Sequence, residues 1–260
     1  MANEQLIARR NRHQLRDGVP FIADYEAACA YVEELGIVMP WSAKGYPLPC
    51  LRTVFRGEVK REPGPIWDWK DQMPLEKRAY YGALLRHGKV LLAPRLAPAF
   101  YRASGRTGAA EDYLSDYEEG TLPRTSKQIV DILSDGPCQT PGLRTRLKQV
   151  GADTSRLQQE LDELQARFYV TKAGVTPGGG YLWGLVDEGW PELPASARGW
   201  TKPEARADVV VALLHAAVFL RPADIERMTG WGKQRVDQVL DALSRRGRIV
   251  RAGDDAYVLA

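Results

Sequence analysis

Apolar residues recur at steps of four, three and four at Leu157, Leu161, Leu164 and Phe168, which puts them on one helical face with glutamines and acids opposite. The pattern returns further along the chain. The segments LDELQARFYVTKAG (161–174) and LDALSRRGRIVRAG (240–253) are one pattern displaced by 240 − 161 = 79 positions. Gly151 falls over Gly230, Arg156 over Arg235, Leu157 over Val236 and Lys172 over Arg251. Each helical stretch is followed by two short apolar, strand-like runs around a glycine-containing turn: 168–171 and 181–186 in the first copy, with 173–180 as a loop, and 249–251 and 256–259 in the second. Two shorter helical patterns precede each, 126–134 with 143–150 and 203–218 with 222–229.

Three helices and a hairpin predict a winged helix, a variant of the helix-turn-helix whose third helix usually enters a DNA major groove. The expected fold class is mostly α with small β-hairpin wings (α+β), arranged as tandem winged-helix modules. Upstream, 24–35 has helical spacing and ends at Gly36, 37–39 is strand-like, and 41–65 is rich in Gly and Pro. A second helix is predicted over 75–86, with Pro74 in its opening turn and Asp71 as its cap, then a strand over 90–92 and a Pro-started helix over 96–103. The resulting organisation is a basic extension (1–20), a diverged winged-helix-like module (21–104), a linker (105–120), a winged helix (121–187), a second linker (188–199) and a carboxy-terminal winged helix (200–260).

Charge matters by its placement, because the net value is only +3 over 260 residues. Arg9, Arg10, Arg12 and Arg16 crowd the amino-terminal arm, Arg144, Arg146 and Lys148 one short helix, and Arg245, Arg246, Arg248 and Arg251 the last wing. The run EDYLSDYEE (111–119) is acidic and is expected to face away from a polyanion. Three cysteines, far apart and without a Cys-x-x-Cys pair, encode neither a disulfide framework nor a zinc site. No metal is predicted. There is no run of eighteen apolar residues and no secretory leader at the start, so a cytoplasmic, non-membrane protein is expected, nucleoid-associated if it binds DNA. The glycines at 176–180 lack the Lys-Ser or Lys-Thr of a phosphate loop, and no cofactor is predicted.

In a winged helix the start of the third helix meets base edges while the wing and nearby helix ends meet phosphates. That assigns Ser155, Arg156, Gln158 and Gln159 in the first copy, and Lys233, Gln234 and Arg235 in the second, to a DNA groove. Lys172 and Arg251, each beside the Ala-Gly of a wing, are candidate phosphate contacts, joined by Arg9, Arg10, Arg12, Arg144, Arg146 and Lys148. Glu160, Asp162, Glu163, Asp237 and Asp241 on the same helices favour the competing reading of a protein-interaction surface.

Two segments resemble the winged-helix DNA glycosylases of the AlkZ type, which excise alkylated bases and unhook interstrand crosslinks. In LLRHGKVLLAPRLAPAF (84–100), His87, Leu92, Arg95, Leu96 and Pro98 fall where that family places a helix with a His, an apolar turn and a Pro-started helix. LGIVMPW (35–41) is similar to the family's Leu-Gly-x-x-Gln-x-Gln or Gln-x-Asp segment, whose two polar side chains position the attacking water and stabilise the oxocarbenium ion. Here those positions are Met39 and Trp41, and neither a thioether nor an indole supplies such an oxygen. The resemblance implies a duplex-DNA-binding relative, with damaged or distorted duplex included, that lacks the family's base-excision chemistry.

An active glycosylase is the alternative. Sugar cleavage needs a carboxylate, and PIWDWKDQMP offers Asp68 and Asp71 beside Lys70, between Trp67 and Trp69. A lysine there is also a candidate Schiff-base former, and tryptophans can stack on a flipped base. The structural alternative for the same residues is that Asp71 caps a helix, Lys70 is a solvated charge, the tryptophans close a small core and His87 is a core residue.

Overall fold

Helices begin and end where local chemistry favours it in the computed structural model, which describes residues 2–15, 21–58, 64–86, 88–109, 111–253 and 255–260. After α1 (Ala2–His13), α2 (Tyr25–Leu35) is capped by Asp24, whose carboxylate accepts from the Ala27 N–H at 2.9 Å, and is closed by Gly36 at φ 77°. Then come β1 (Ile37–Val38), α3 (Leu51–Val54), α4 (Pro65–Leu75), β2 (Tyr80–Leu85), β3 (Gly88–Leu92), a 3-10 turn (Pro94–Leu96) and α5 (Ala97–Ser104). The strands form one antiparallel sheet in the order β1-β3-β2, with Leu92 opposite both Ile37 and Tyr80.

This sheet corrects one expectation. Residues 80–85 are strand and not helix, and the helix lies one segment earlier, started by Pro65, with Asp71 inside it and Pro74 in its last turn. The reason is burial on both faces: Ile37, Tyr80, Val90 and Leu92 point into one apolar cluster, while Val38, Tyr81 and Leu91 point into another. A strand covered on both sides shows no alternation, and its apolar run is then indistinguishable by period from a buried helix. The segment read by resemblance as a His-containing helix is for the same reason two strands, and His87 itself lies outside the described residues, as does Arg16.

The middle of the chain carries α6 (Asp112–Glu118), α7 (Arg124–Ser134), β4 (Cys138–Gln139), α8 (Thr140–Gln149), α9 (Leu157–Ala166), β5 (Val170–Val175) and β6 (Tyr181–Leu185). β5 extends past the expected 168–171, and β4 adds a third strand to the hairpin in the order β4-β6-β5. Short helices α10 (Val186–Gly189) and α11 (Glu192–Ala197) fill much of the expected second linker, because Trp190, Leu193 and Ala197 are buried in the core that contains α5. The chain ends with α12 (Lys202–Ala217), α13 (Pro222–Thr229), α14 (Lys233–Arg245), β7 (Ile249–Ala252) and β8 (Ala256–Leu259). α9 and α14, with the hairpins after them, occupy the two copies of the repeat.

α12 holds the ends of the molecule together. Thr201 and Glu204 form a reciprocal capping box at its start, and it is apolar almost all round, with Ala205, Val209, Val210, Leu213, Leu214 and Ala217 buried. It packs on α5, so one cluster joins the first sheet to the final helices. Among the described residues no helix is long and apolar enough to cross a membrane.

Candidate functional site

In α4, Trp67, Lys70 and Asp71 stand three and four positions apart and therefore share a face. That face meets β5 and β6, where Lys172 and Tyr181 project from paired strands. Lys70 Nζ donates to Asp71 Oδ2 at 2.5 Å and to the Tyr181 hydroxyl at 2.9 Å, and lies 4.2 Å from the Trp67 ring centre. Lys172 Nζ sits 3.8 Å from Asp71 Oδ1, 3.4 Å from the Tyr181 ring centre and 4.2 Å from that of Tyr81. Trp41 meets Trp67 with ring centres 5.7 Å apart and planes tilted by 56°, so a position of the replaced family pair adjoins this group.

The electrostatics follow from burial. Lys70 is 1% exposed and Lys172 6% exposed, yet a single carboxylate lies between them. Desolvation lowers the pKa of Lys70 against the opposing pull of Asp71. It takes Lys172 down to about 6, with Asp71 opposing and Lys70 reinforcing the shift. Burial likewise raises the Tyr81 and Tyr181 phenols. Lys70 and Asp71 form the hydrogen-bonded pair, and the burial of Lys172 favours its neutral amine, the form able to take a proton or attack an electrophile.

A cleft of about 1000 Å³ lies between β2–β3, α9, α12 and the turn before α14. Phe100 and Phe168 contribute apolar lining, Gln158 and Gln159 come from α9, and Arg86, Lys89 and Trp231 complete the rim. Lys89 pairs with Asp162 at 3.3 Å across the β3–α9 junction, and the Arg86 N–H donates to the Met228 carbonyl at 2.8 Å. Beside Trp231 the Arg206 guanidinium lies 5.7 Å from the indole, and its Nε is buried with no hydrogen-bond partner among the described residues. Burial and then the charge of Arg235 lower the Arg206 pKa. Burial, Arg206 and Arg235 lower that of Lys202, with Asp116 opposing. Three cations that repel one another in this way favour an anion between them.

The residues predicted from sequence divide into three sets. Asp71, Lys70 and Trp41 come together in one group, and Asp68 stays exposed on the outer side of α4. Lys70 is not a solvated charge and Asp71 does not cap a helix, because the helix begins earlier than the spacing predicts. Met39 is 3% exposed and built into the core, its N–H donating to the Pro49 carbonyl at 2.8 Å.

Ser155, Arg156, Gln158, Gln159, Lys233, Gln234 and Arg235 are exposed at the starts of α9 and α14, and Arg9, Arg12, Arg144, Lys148 and Arg251 are exposed as well. Arg146 is committed to Asp135. Two of the predicted phosphate contacts are corrected. Lys172 is buried in the lysine group, and Arg10 points inward, donating to the carbonyls of Ala217 and Phe219 at 2.6 Å each with its guanidinium 3.6 Å from the Phe219 ring centre.

Sequence reasoning missed Tyr81, Tyr181, Lys202, Arg206 and Trp231. Long-range packing alone assembles them.

The sequence profile described as "AlkZ related" matches residues 22–183. No curated protein sequence matches the chain. Among solved structures, Streptomyces sahachiroi DNA glycosylase AlkZ superposes with a TM-score of 0.59 over 98% of this chain and 69% of that one at 17% identity, a likeness of fold. With the profile spanning well over half of its length, the chain belongs to the AlkZ-related family.

Proposed function

We propose that this protein binds duplex DNA through the cleft, as a tandem winged-helix relative of AlkZ-type glycosylases in which the inherited base-excision step is absent. The observation that carries the reading is the mutually repelling cation group Lys202, Arg206 and Arg235, of which Arg206 lies beside Trp231, a residue lining the cleft that Gln158 and Gln159 also line. Cations supply phosphate contacts, an indole supplies a stacking face, and amides supply base-edge hydrogen bonds. The α9 and α14 starts serve as the groove-reading ends. Met39 and Trp41 offer no oxygen to orient water or to offset a sugar cation, which is why the reading stops at binding.

Titration of a labelled duplex at several salt concentrations tests it. Affinity should fall with a log–log slope of about −4 to −8, and the double variant Arg206→Ala, Arg235→Ala should make that slope shallower by about two. Binding that ignores salt, with clean elution from heparin, would instead favour a protein-interaction scaffold.

Asp71 supports a second reading, an active glycosylase, because its Oδ1 is buried and makes no hydrogen bond among the described residues. Incubation with alkylated or crosslinked duplex, followed by cleavage at abasic sites, then yields strand breaks that disappear in Asp71→Asn.

A further inference from the structure

We propose that Lys172 is an amine nucleophile that forms a Schiff base with the aldehyde of a ring-opened abasic deoxyribose, with Asp71 relaying the proton and Lys70 holding Asp71 in place. The site rests on the DNA-binding reading for its substrate and goes beyond it in chemistry.

A lysine attacks a carbonyl only when it is unprotonated, and the surroundings of Lys172 keep it so. The groups facing it are Asp71 and Lys70 from α4, Lys89 from β3, Asp162 from α9, Tyr81 from β2 and Tyr181 from β6. Lys70 takes the nearest carboxylate at 2.5 Å, which leaves Lys172 3.8 Å from the other oxygen and outside hydrogen-bond reach. That oxygen has no hydrogen-bond partner of its own among the described residues and is free to accept a proton.

The winged unit does not itself require a buried amine at this position. In the other copy of the repeat the equivalent residue, Arg251, is exposed on its strand. Burying a lysine where an apolar residue would pack costs stability, so its presence points to reactivity.

Access runs past Trp67, which is 45% exposed, and Tyr181, which is half-buried and follows the exposed turn at 177–180. Turning Tyr181 outward breaks the hydrogen bond from Lys70. The tryptophan faces suit the bases beside a missing one.

The step balances without an oxidant. The Lys172 Nζ lone pair attacks the C1′ aldehyde carbon, the carbonyl oxygen takes a proton from a solvent water, and the nitrogen gives one to Asp71. The resulting hydroxyl then leaves as water with that proton as the C=N bond forms. Loss of a base from DNA, by glycosidic hydrolysis, is the reaction class that must supply this substrate.

The test incubates the full chain with labelled duplex carrying one abasic site, in cyanoborohydride, and reads the covalent adduct on a denaturing gel. Trapping should rise as pH passes about 6 and level off above it. It should fall by about tenfold or more in Lys172→Met, while the exposed-lysine variant Lys44→Met leaves it unchanged. Peptide mapping of the native adduct should place it on residue 172, which decides the matter even if Lys172→Met does not fold.

A gel shift on the same duplex without reductant separates the two readings. Binding with no adduct, or an adduct mapped to other lysines, overturns the amine proposal and leaves DNA binding standing. No shift, combined with modification of Lys172 by propionaldehyde and cyanoborohydride, overturns the DNA reading and keeps the reactive amine.

Discussion

Lys172 carries a stability signature as well as a chemical one. Its folded pKa of about 6 lies below the value near 10.4 of an unfolded lysine, so between those limits the unfolded chain binds more protons. Stability should therefore rise with pH across that window, starting just above pH 6. Lys172→Met should remove the slope and raise stability at neutral pH by about 1 to 3 kcal/mol, as read from urea melts at pH 7 and 9. Melts that stay parallel in wild type and variant would refute the assignment of a neutral amine. At this scale the sequence was partly legible. The tryptophans, Lys70 and Asp71 stood out as a group because their types and spacing are local. Lys172 and Tyr181 did not, because their partners are a hundred residues away in the chain, and proximity of that kind leaves no local pattern.

Among elements, the repeat was the most readable feature, since amphipathic spacing and turn glycines are short-range properties and both copies fold as helix and hairpin. The first sheet was the least readable, because β2 is buried on both faces and so carries no polar-apolar alternation. Helix starts give the sharper tests. Thr201→Ala removes a reciprocal cap from α12 and should cost about 1 kcal/mol in chemical denaturation. Gly36→Ala should cost more, about 2 kcal/mol, because φ is 77° and the added Cβ would come within 2.6 Å of Leu96 Cδ1. The order of those two effects is the expectation that denaturation curves check.

At the scale of the whole molecule, the two ends of the chain share an interior. Ile37, Tyr80 and Leu92 lie in the same cluster as Leu213, Leu240 and Ile249, and Arg10 of α1 and Gln14 just after it donate to the α12 end at Ala217 and Ala216. Arg10→Ala should lower stability by about 2 kcal/mol, since it removes two hydrogen bonds and a ring contact, while leaving the salt dependence of DNA binding unchanged. An unaltered melting temperature would return Arg10 to the surface role that its neighbours Arg9 and Arg12 suggested.

The floor of the cleft belongs to that shared interior, through Leu84, Phe100, Phe168 and Val209. Jaws rooted in one greasy block do not gape, because spreading them would wet the block that keeps the chain folded. On the duplex-binding proposal, accommodation then falls to the guest: a helix that kinks cheaply at a gap, nick or mispair is expected to enter at lower cost than an intact one, so a preference for injury would follow from the stiffness of the host without any reading of letters.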